Sequence, residues 1–108
     1  MTGCLKPALE RAGLGDRKVM FWDHNKERVV DRSLETLCNA RSRDAFDGIA
    51  VHWYSGDHFT ALDITHELFP EKFFIASEQC VGKTPEIPWA SGEKYAHDIL
   101  GDLNHWVS

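Results

Sequence analysis

The clearest indication of the fold is the segment Asp47-Gly48-Ile49-Ala50-Val51-His52-Trp53-Tyr54. Its apolar residues are consecutive instead of alternating, which is typical of a strand buried on both faces of a parallel sheet. Two other runs, Lys18-Val19-Met20-Phe21-Trp22 and Lys72-Phe73-Phe74-Ile75-Ala76, share this pattern. The sequence therefore predicts three short buried strands, each separated from the next by enough chain for a crossover helix.

Helical patterns lie before, between and after these three runs. Apolar residues recur at helical spacing in four groups: Leu5, Leu9 and Ala12; Val30, Leu34, Leu37 and Cys38; Leu62, Thr65, Leu68 and Phe69; and Tyr95, Ile99, Leu103 and Trp106. We expect the last group to form a buried face, with Asp98 and Asp102 largely elsewhere on the helix. Gly82, Pro85 and Pro88 predict a long loop after the third strand. The fold class is α/β, with three parallel strands alternating with about four helices.

Composition narrows the classes of function. The 108 residues carry a formal charge of -5, so an electrostatic nucleic-acid binder is not expected. Hydrophobic residues make up 43%, which is enough for a folded core. The apolar runs are far shorter than the roughly 20 residues that span a bilayer, so no stable membrane insertion is expected. The start of the chain has no basic segment followed by an apolar one, and no secretory signal is predicted.

Metal, cofactor and disulfide signatures are missing from the sequence. The three cysteines are widely spaced and contain no Cys-x-x-Cys pair, which argues against both a disulfide framework and a zinc ribbon. A reducing compartment is therefore expected. The six histidines contain no zincin pattern, so no metal site is predicted. Neither a Gly-rich phosphate loop nor a Gly-x-Ser-x-Gly elbow is present, and we expect no cofactor.

Polar residues follow each predicted strand: Asp23-His24-Asn25, His52-Trp53-Tyr54 and Ser77-Glu78-Gln79. The carboxyl edge of a parallel sheet is where ligands bind and catalytic side chains lie, so the three clusters predict one site. The alternative is that a chain simply turns polar where it leaves the core.

Glu78 is the strongest candidate for chemistry. A carboxylate at the mouth of a buried strand can act as nucleophile or as acid/base, although an ordinary solvated glutamate would fit as well. The rings of His52, Trp53 and Tyr54 suit a sugar, which stacks on aromatic faces and hydrogen-bonds to polar tips. Alternation places His52 and Tyr54 on one side and Trp53 on the other, so at least one ring is expected to serve packing.

Four strings together resemble glycoside hydrolase family 30, the glucosylceramidase group. They are Trp22-Asp23-His24-Asn25, Asp47-Gly48-Ile49-Ala50-Val51-His52-Trp53-Tyr54, Ala76-Ser77-Glu78-Gln79-Cys80 and Tyr95-Ala96-His97-Asp98-Ile99. The resemblance extends from about Leu5 to Trp106. It implies a partial (β/α)8 TIM barrel, in which residues 1–108 are similar to strands five to seven of the family's catalytic barrel.

The resemblance also implies roles for single residues. The glutamate of the family's Ala-Ser-Glu motif is the nucleophile of a retaining β-glycosidase, and it corresponds to Glu78. The tyrosine of the His-Trp-Tyr motif contacts that nucleophile and corresponds to Tyr54. His52 and Trp53 are implied as walls of the sugar pocket, and Asp23 as a pocket residue. The implied substrate is a carbohydrate or glycolipid, with β-xyloside and β-1,6-glucan as alternatives to a β-glucoside.

One departure from the family changes the expectation. The family's acid/base glutamate lies in an Asn-Glu-Pro motif on the fourth strand, and these 108 residues contain no Asn-Glu pair. A retaining glycosidase needs two carboxyl groups. We therefore expect a barrel fragment with little or no activity alone and with sheet edges open to self-association. The alternative is a non-catalytic truncated remnant. The compartment stays open.

Overall fold

The computed structural model describes residues 4–82 and 88–108. The predicted loop residue Pro85 lies outside them. In chain order the elements are α1 (Leu5–Arg11), β1 (Met20–Asn25), a 3-10 turn (Lys26–Arg28), α2 (Val29–Leu37), α3 (Ala40–Ala45), β2 (Gly48–His52), α4 (Phe59–Leu68), β3 (Phe73–Glu78) and α5 (Trp89–Asn104).

The three strands form one parallel sheet in the order β1-β2-β3. The prediction of a parallel α/β fold is confirmed. All three strands extend to the polar residues that were expected just beyond them, because ladder hydrogen bonds use only the backbone and continue whatever the side chains are. Asn25 pairs with His52, and His52 pairs with Glu78, so the three strand ends lie side by side.

The core lies between the sheet and helices α2 and α4. The first four residues of β2 are all buried, as the continuous apolar run predicted. The buried core cluster comprises Val29, Leu37, Ile49, Val51, Leu62, Phe69, Phe74 and Val107. Removing these side chains from water supplies the main force that holds two helices on one face of the sheet.

Two charged residues fix the amino-terminal edge of the sheet. Asp47, just before β2, accepts hydrogen bonds from the Val19 amide at 2.8 Å and from Lys6 Nζ at 3.0 Å. Lys72, just before β3, donates to the Arg43 and Phe46 carbonyl oxygens at 2.7 and 2.9 Å. These bonds attach α1 and α3 to the edge opposite the candidate site.

Helix α3 and the 3-10 turn were not predicted. The Asn39 side chain accepts hydrogen bonds from the Arg41 and Ser42 amides at 3.0 and 3.3 Å, an ordinary N-cap for α3. The structure therefore has five α-helices among its described residues, against the expected four or so. The asparagine was a usable signal, but the helix it begins is too short to show apolar periodicity.

The predicted burial of α5 is wrong. Ile99, Leu103 and Trp106 are 45%, 61% and 55% exposed, whereas the buried residues of α5 are Ser91, Asp98 and Asp102. The reason is electrostatic: Lys26 is completely buried and its ammonium contacts both aspartates. A buried cation requires anionic partners, and this pairing decides which face of α5 turns inward. None of the helices in the described ranges is long and apolar enough to cross a membrane.

Candidate active site

Two irregularities in the strands shape the carboxyl edge of the sheet. The β1–β2 register passes from Trp22 to His24, which leaves Asp23 outside the ladder, and the β2–β3 register likewise leaves out Ser77. Such bulges bend a strand and redirect a side chain. Ser77 donates a hydrogen bond to Asp23 Oδ1 at 2.6 Å, although β1 and β3 are not neighbours. The two bulged residues therefore meet across the end of β2.

Backbone strain accompanies the first bulge. Trp22 and Asp23 have φ of 76° and 51°, in the left-handed region that side chains other than glycine seldom adopt. The Trp22 indole donates to the Asn25 carbonyl at 2.9 Å, which holds the bent segment closed. Strain of this kind persists where surrounding contacts determine the conformation, and it is found often at functional sites.

His52 lies between two carboxylates. Its Nε2 is 3.1 Å from Asp23 Oδ1, and its Nδ1 is 3.4 Å from Glu78 Oε2. The His52 side chain is 13% exposed, whereas those of Asp23 and Glu78 are 70% and 57% exposed. One half-buried ring thus connects the predicted nucleophile with the predicted pocket aspartate, and both carboxylates are open to a ligand.

Hydrogen bonds set the charge of Asp23. The bond from Ser77, and then the contact with His52, lower the pKa of Asp23 below its ordinary value. Both groups stabilise the ionised carboxylate by placing positive partial charge beside it. Asp23 is therefore an anion at neutral pH.

Tyr54 is exposed beside the site, and its hydroxyl interacts with Cys80. The hydroxyl oxygen lies 3.0 Å from Cys80 Sγ and accepts a hydrogen bond from the Cys80 amide at 3.2 Å. The interaction with the Cys80 side chain, together with burial and the charge of Glu78, raises the pKa of Tyr54 to about 12. The predicted contact of Tyr54 with the nucleophile stays a prediction; here its hydroxyl fixes the segment that follows Glu78.

Trp53 points the other way and packs against α5. It is 3% exposed, its ring centroid lies 4.8 Å from that of Tyr95, and Lys94 Nζ lies 4.7 Å from the same ring. The structure thus gives one of the three rings a packing position, as alternation predicted. Its sugar-wall role stays a prediction, with no open ring face in this geometry to support it.

Sequence analysis placed His24, Asn25 and Gln79 in the polar clusters at this edge without giving any of them a role, and it missed Lys26. His24 stacks on His52, with ring centroids 6.1 Å apart. Asn25 Oδ1 accepts a hydrogen bond from the Tyr54 amide at 3.1 Å. Lys26, Asp98, Asp102 and Gln79 form a connected group beneath the site. Two aspartates four residues apart repel each other on a helix surface, and that spacing was a signal that a cation lies between them.

The chemistry available at this edge is that of carboxylates and imidazole. Among residues 4–82 and 88–108, no group of three or more His, Cys, Asp or Glu side chains is arranged to hold a metal ion. Glu78 is an exposed carboxylate with a neighbouring imidazole, which suits nucleophilic attack or proton transfer. Parallel strands alternating with helices define a partial TIM-barrel α/β protein, and the candidate groups lie at the carboxyl ends of its strands.

Comparisons with known proteins agree with this class. The family model described as "Glycosyl hydrolase family 30 TIM-barrel domain" matches residues 2–108 of this chain. The candidate glucosylceramidase 4 of Caenorhabditis elegans is 42% identical to this chain over 97 residues. These residues cover 83% of this chain and 19% of that protein. The lysosomal acid glucosylceramidase of Mus musculus is 31% identical over 113 residues, covering 96% of this chain and 22% of the enzyme.

A solved structure has the same fold. SrfJ from Salmonella typhimurium superposes with a TM-score of 0.94 at 28% identity, over 99% of this chain and 24% of SrfJ. The chain belongs to glycosyl hydrolase family 30. It spans about a fifth of the length of the curated relatives cited here.

Proposed function

We propose that this chain supplies the nucleophile, Glu78, of a retaining β-glycosidase of the glucosylceramidase type. The substrate class is a β-glucoside, either glucosylceramide or a related compound, and residues 1–108 form strands five to seven of the catalytic barrel. The observation that carries the proposal is the placement of Glu78 at the end of β3, exposed and in register with His52, whose other ring nitrogen contacts Asp23. Membership of the family and the names of the relatives support the substrate class.

The proposed step is a displacement at the sugar's anomeric carbon. A Glu78 carboxylate oxygen forms a bond to that carbon, and the bond from the carbon to the leaving-group oxygen breaks with both electrons going to that oxygen. An ordinary alcohol leaving group also needs a proton from a second carboxyl group about 5 to 5.5 Å away. The family motif for that acid/base is not present in these 108 residues, so in this proposal it comes from outside them.

His52, Asp23 and Tyr54 have supporting roles in this proposal. His52 contacts Glu78 and the ionised Asp23, and in this proposal His52 and Asp23 hydrogen-bond to sugar hydroxyls. Tyr54 is 45% exposed and adds an aromatic face at the same edge. Trp53 supports this edge from below through its packing on Tyr95.

The test uses a substrate that needs no acid. In 2,4-dinitrophenyl 2-deoxy-2-fluoro-β-glucoside, the leaving dinitrophenolate is stable without protonation, and the fluorine slows breakdown of the covalent intermediate. We expect the 108-residue chain to gain one fluoroglucosyl group by mass spectrometry, with the modified peptide carrying it on Glu78. Glu78→Gln should remain unlabelled, and Glu67→Gln, an exposed glutamate on α4, should be labelled like the parent chain.

Hydrolysis of an unactivated aryl β-glucoside should be little or none, because the missing acid/base assistance alone contributes a factor of about 10² to 10⁴. Labelling elsewhere than Glu78, or equal labelling of Glu78→Gln, would contradict the proposed nucleophile. Absence of labelling in a chain that is folded by circular dichroism would favour the second candidate, a non-catalytic remnant. The high exposure of Glu78 is the observation consistent with that alternative.

A further inference from the structure

The completely buried ammonium of Lys26 lies between the carboxylates of two aspartates on α5. It donates to Asp98 Oδ1 at 2.8 Å and also to Asp102 Oδ1. The side chains of Lys26, Asp98 and Asp102 are 0%, 5% and 4% exposed. An ion group of this kind is costly to bury, and hydrophobic residues of the same volume often stabilise a fold equally well. Its presence therefore calls for an explanation other than stability.

Gln79 completes the group. Its Nε2 donates to Asp98 Oδ2 at 2.6 Å and to Asp102 Oδ2 at 3.0 Å. Each aspartate thus accepts from Lys26 through one oxygen and from Gln79 through the other. Since Gln79 directly follows Glu78, the group connects the end of β1 and helix α5 to the residue next to the candidate nucleophile.

The two following residues are held as well. The Cys80 amide donates to the Tyr54 hydroxyl at 3.2 Å, and the Val81 amide donates to the Tyr95 hydroxyl at 3.0 Å. Three successive residues after Glu78 are therefore attached either to α5 or to Tyr54, which lies just beyond β2. Among these attachments, only that of Gln79 uses charged partners, and such hydrogen bonds are about twice as strong as neutral ones.

We propose that the group formed by Lys26, Asp98, Asp102 and Gln79 positions Glu78, with Gln79 as the positioning residue. The group fixes the backbone immediately after Glu78, so that its carboxylate is held at the site while remaining exposed. Catalytic side chains must be kept close to their productive geometry by residues that do not touch substrate. This inference rests on the proposed function in so far as Glu78 is the nucleophile.

Charge within the group supports this role. Two carboxylates share one ammonium, and burial raises the pKa of Asp102 while Lys26 opposes that rise. The Gln79 amide adds donors without adding charge. Replacing Gln79 should therefore loosen the segment after Glu78 without removing the charge partner of either aspartate, which makes it a milder change than replacing Lys26.

The test combines amide hydrogen exchange with labelling, both on the 108-residue chain. In Gln79→Met, which keeps length and removes the donors, we expect the Cys80 and Val81 amides to exchange roughly 10- to 100-fold faster by NMR, with core amides of β2 unchanged. Asn104→Leu, a loss of an exposed amide at the end of α5, is the matched control. If Gln79→Met does not fold, Gln79→Asn, which is too short to reach both aspartates, replaces it.

Labelling separates positioning from folding. With the dinitrophenyl fluoroglucoside, Gln79→Met should lower the maximal labelling rate at least tenfold and leave the half-saturating concentration unchanged. Partial unfolding would lower that rate only in proportion to the folded fraction, which circular dichroism measures separately. Unchanged exchange at Cys80 and Val81 would overturn the inference. If the parent chain is not labelled but exchange responds as expected, the proposed function fails and the positioning of this segment stands.

Discussion

At the scale of single residues, the site depends on two side chains that the regular ladder leaves out. Asp23 and Ser77 lie at bulges on strands that are not neighbours, and they hydrogen-bond to each other above His52. In regular strands, successive side chains point to opposite faces of the sheet, and the side chains of Asp23 and Ser77, on strands that are not neighbours, would not meet. The charge and position of Asp23 therefore depend on a hydrogen bond that the sequence around Asp23 or Ser77 does not predict.

The first prediction at this scale concerns the titration of Asp23. Ser77→Ala removes the main cause of its lowered pKa, so that pKa should rise toward the ordinary aspartate value of about 3.9. A carboxyl group whose pKa is lowered by folding stabilises the fold above its unfolded pKa and loses this contribution as the pH falls. NMR titration of the side-chain carboxyl carbon measures the shift.

Ser55→Ala is the reciprocal control for this prediction. The hydrogen bond from Ser55 is the main cause of the lowered pKa of Glu27. Ser55→Ala should raise the pKa of Glu27 and leave that of Asp23 in place, and Ser77→Ala should do the reverse. An Asp23 titration that does not move in Ser77→Ala would contradict the cross-strand hydrogen bond.

At the scale of elements, α5 is the helix whose burial was wrongly expected from its apolar periodicity. Asp98 and Asp102 face inward toward Lys26, and the apolar residues Ile99 and Leu103 face outward. The same inward side includes Gly101, against which the ring of Phe59 packs. Lys26 Nζ lies 5.1 Å from the centroid of that ring, so the aromatic residue contacts both the glycine and the buried cation.

Two alanine substitutions within α5 test this packing. A Cβ at Gly101 would overlap the Phe59 ring, whereas a Cβ at Gly92 meets no described atom within 4 Å. Gly101→Ala should lower the free energy of unfolding by roughly 1–3 kcal/mol through overpacking. Gly92→Ala should raise it by about 0.5–1 kcal/mol, since alanine is the better helix former. Urea unfolding measures both, and stabilisation by Gly101→Ala would refute the packing of Phe59 on α5.

At the scale of the whole molecule, the chain is a flat layer. Its principal dimensions are 48 × 30 × 18 Å and its radius of gyration is 15.8 Å, against about 13 Å for a compact domain of this length. Within the described residues, β1 has one paired side, and β3 carries on its outer side an isolated bridge from Phe74 to Val107. Both edges of the sheet are thus open for much of their length.

We predict that these edges lead the chain to self-associate. Exposed strand edges and apolar surface associate at concentrations on the order of 10 µM to 1 mM. Sedimentation velocity over that range should show oligomers, and Met20→Lys, which adds a charge on β1, should shift the distribution toward monomer. Leu100→Lys makes the same change on the exposed side of α5 and should have less effect. A chain that sediments as monomer throughout with a cooperative thermal transition would show that it folds alone.

The architecture and the family of this protein can be read from its amino-acid sequence. Consecutive apolar residues specify buried parallel strands because both faces of such strands leave water, and this local property is readable from Ile49, Ala50 and Val51 alone. The same pattern placed Asp23, His52 and Glu78 at one edge of the sheet, although it ended the strands before these residues and the strands include Asp23, His52 and Glu78. Short motifs such as His52-Trp53-Tyr54 and Ser77-Glu78 then marked the family, which the match over residues 2–108 confirmed.

Which side chains meet depends on the tertiary fold and cannot be read from local sequence. Three features depend on partners that are distant in sequence. They are the bulges at Asp23 and Ser77, the packing of Trp53 on Tyr95 and the inward orientation of Asp98. Apolar periodicity ranks the faces of a helix by hydrophobicity alone, and it does not register that a buried ammonium needs counter-charges. The completely buried Lys26 thus reversed the orientation expected for α5, because the free energy of leaving a charge unpaired exceeds that of exposing a few apolar side chains.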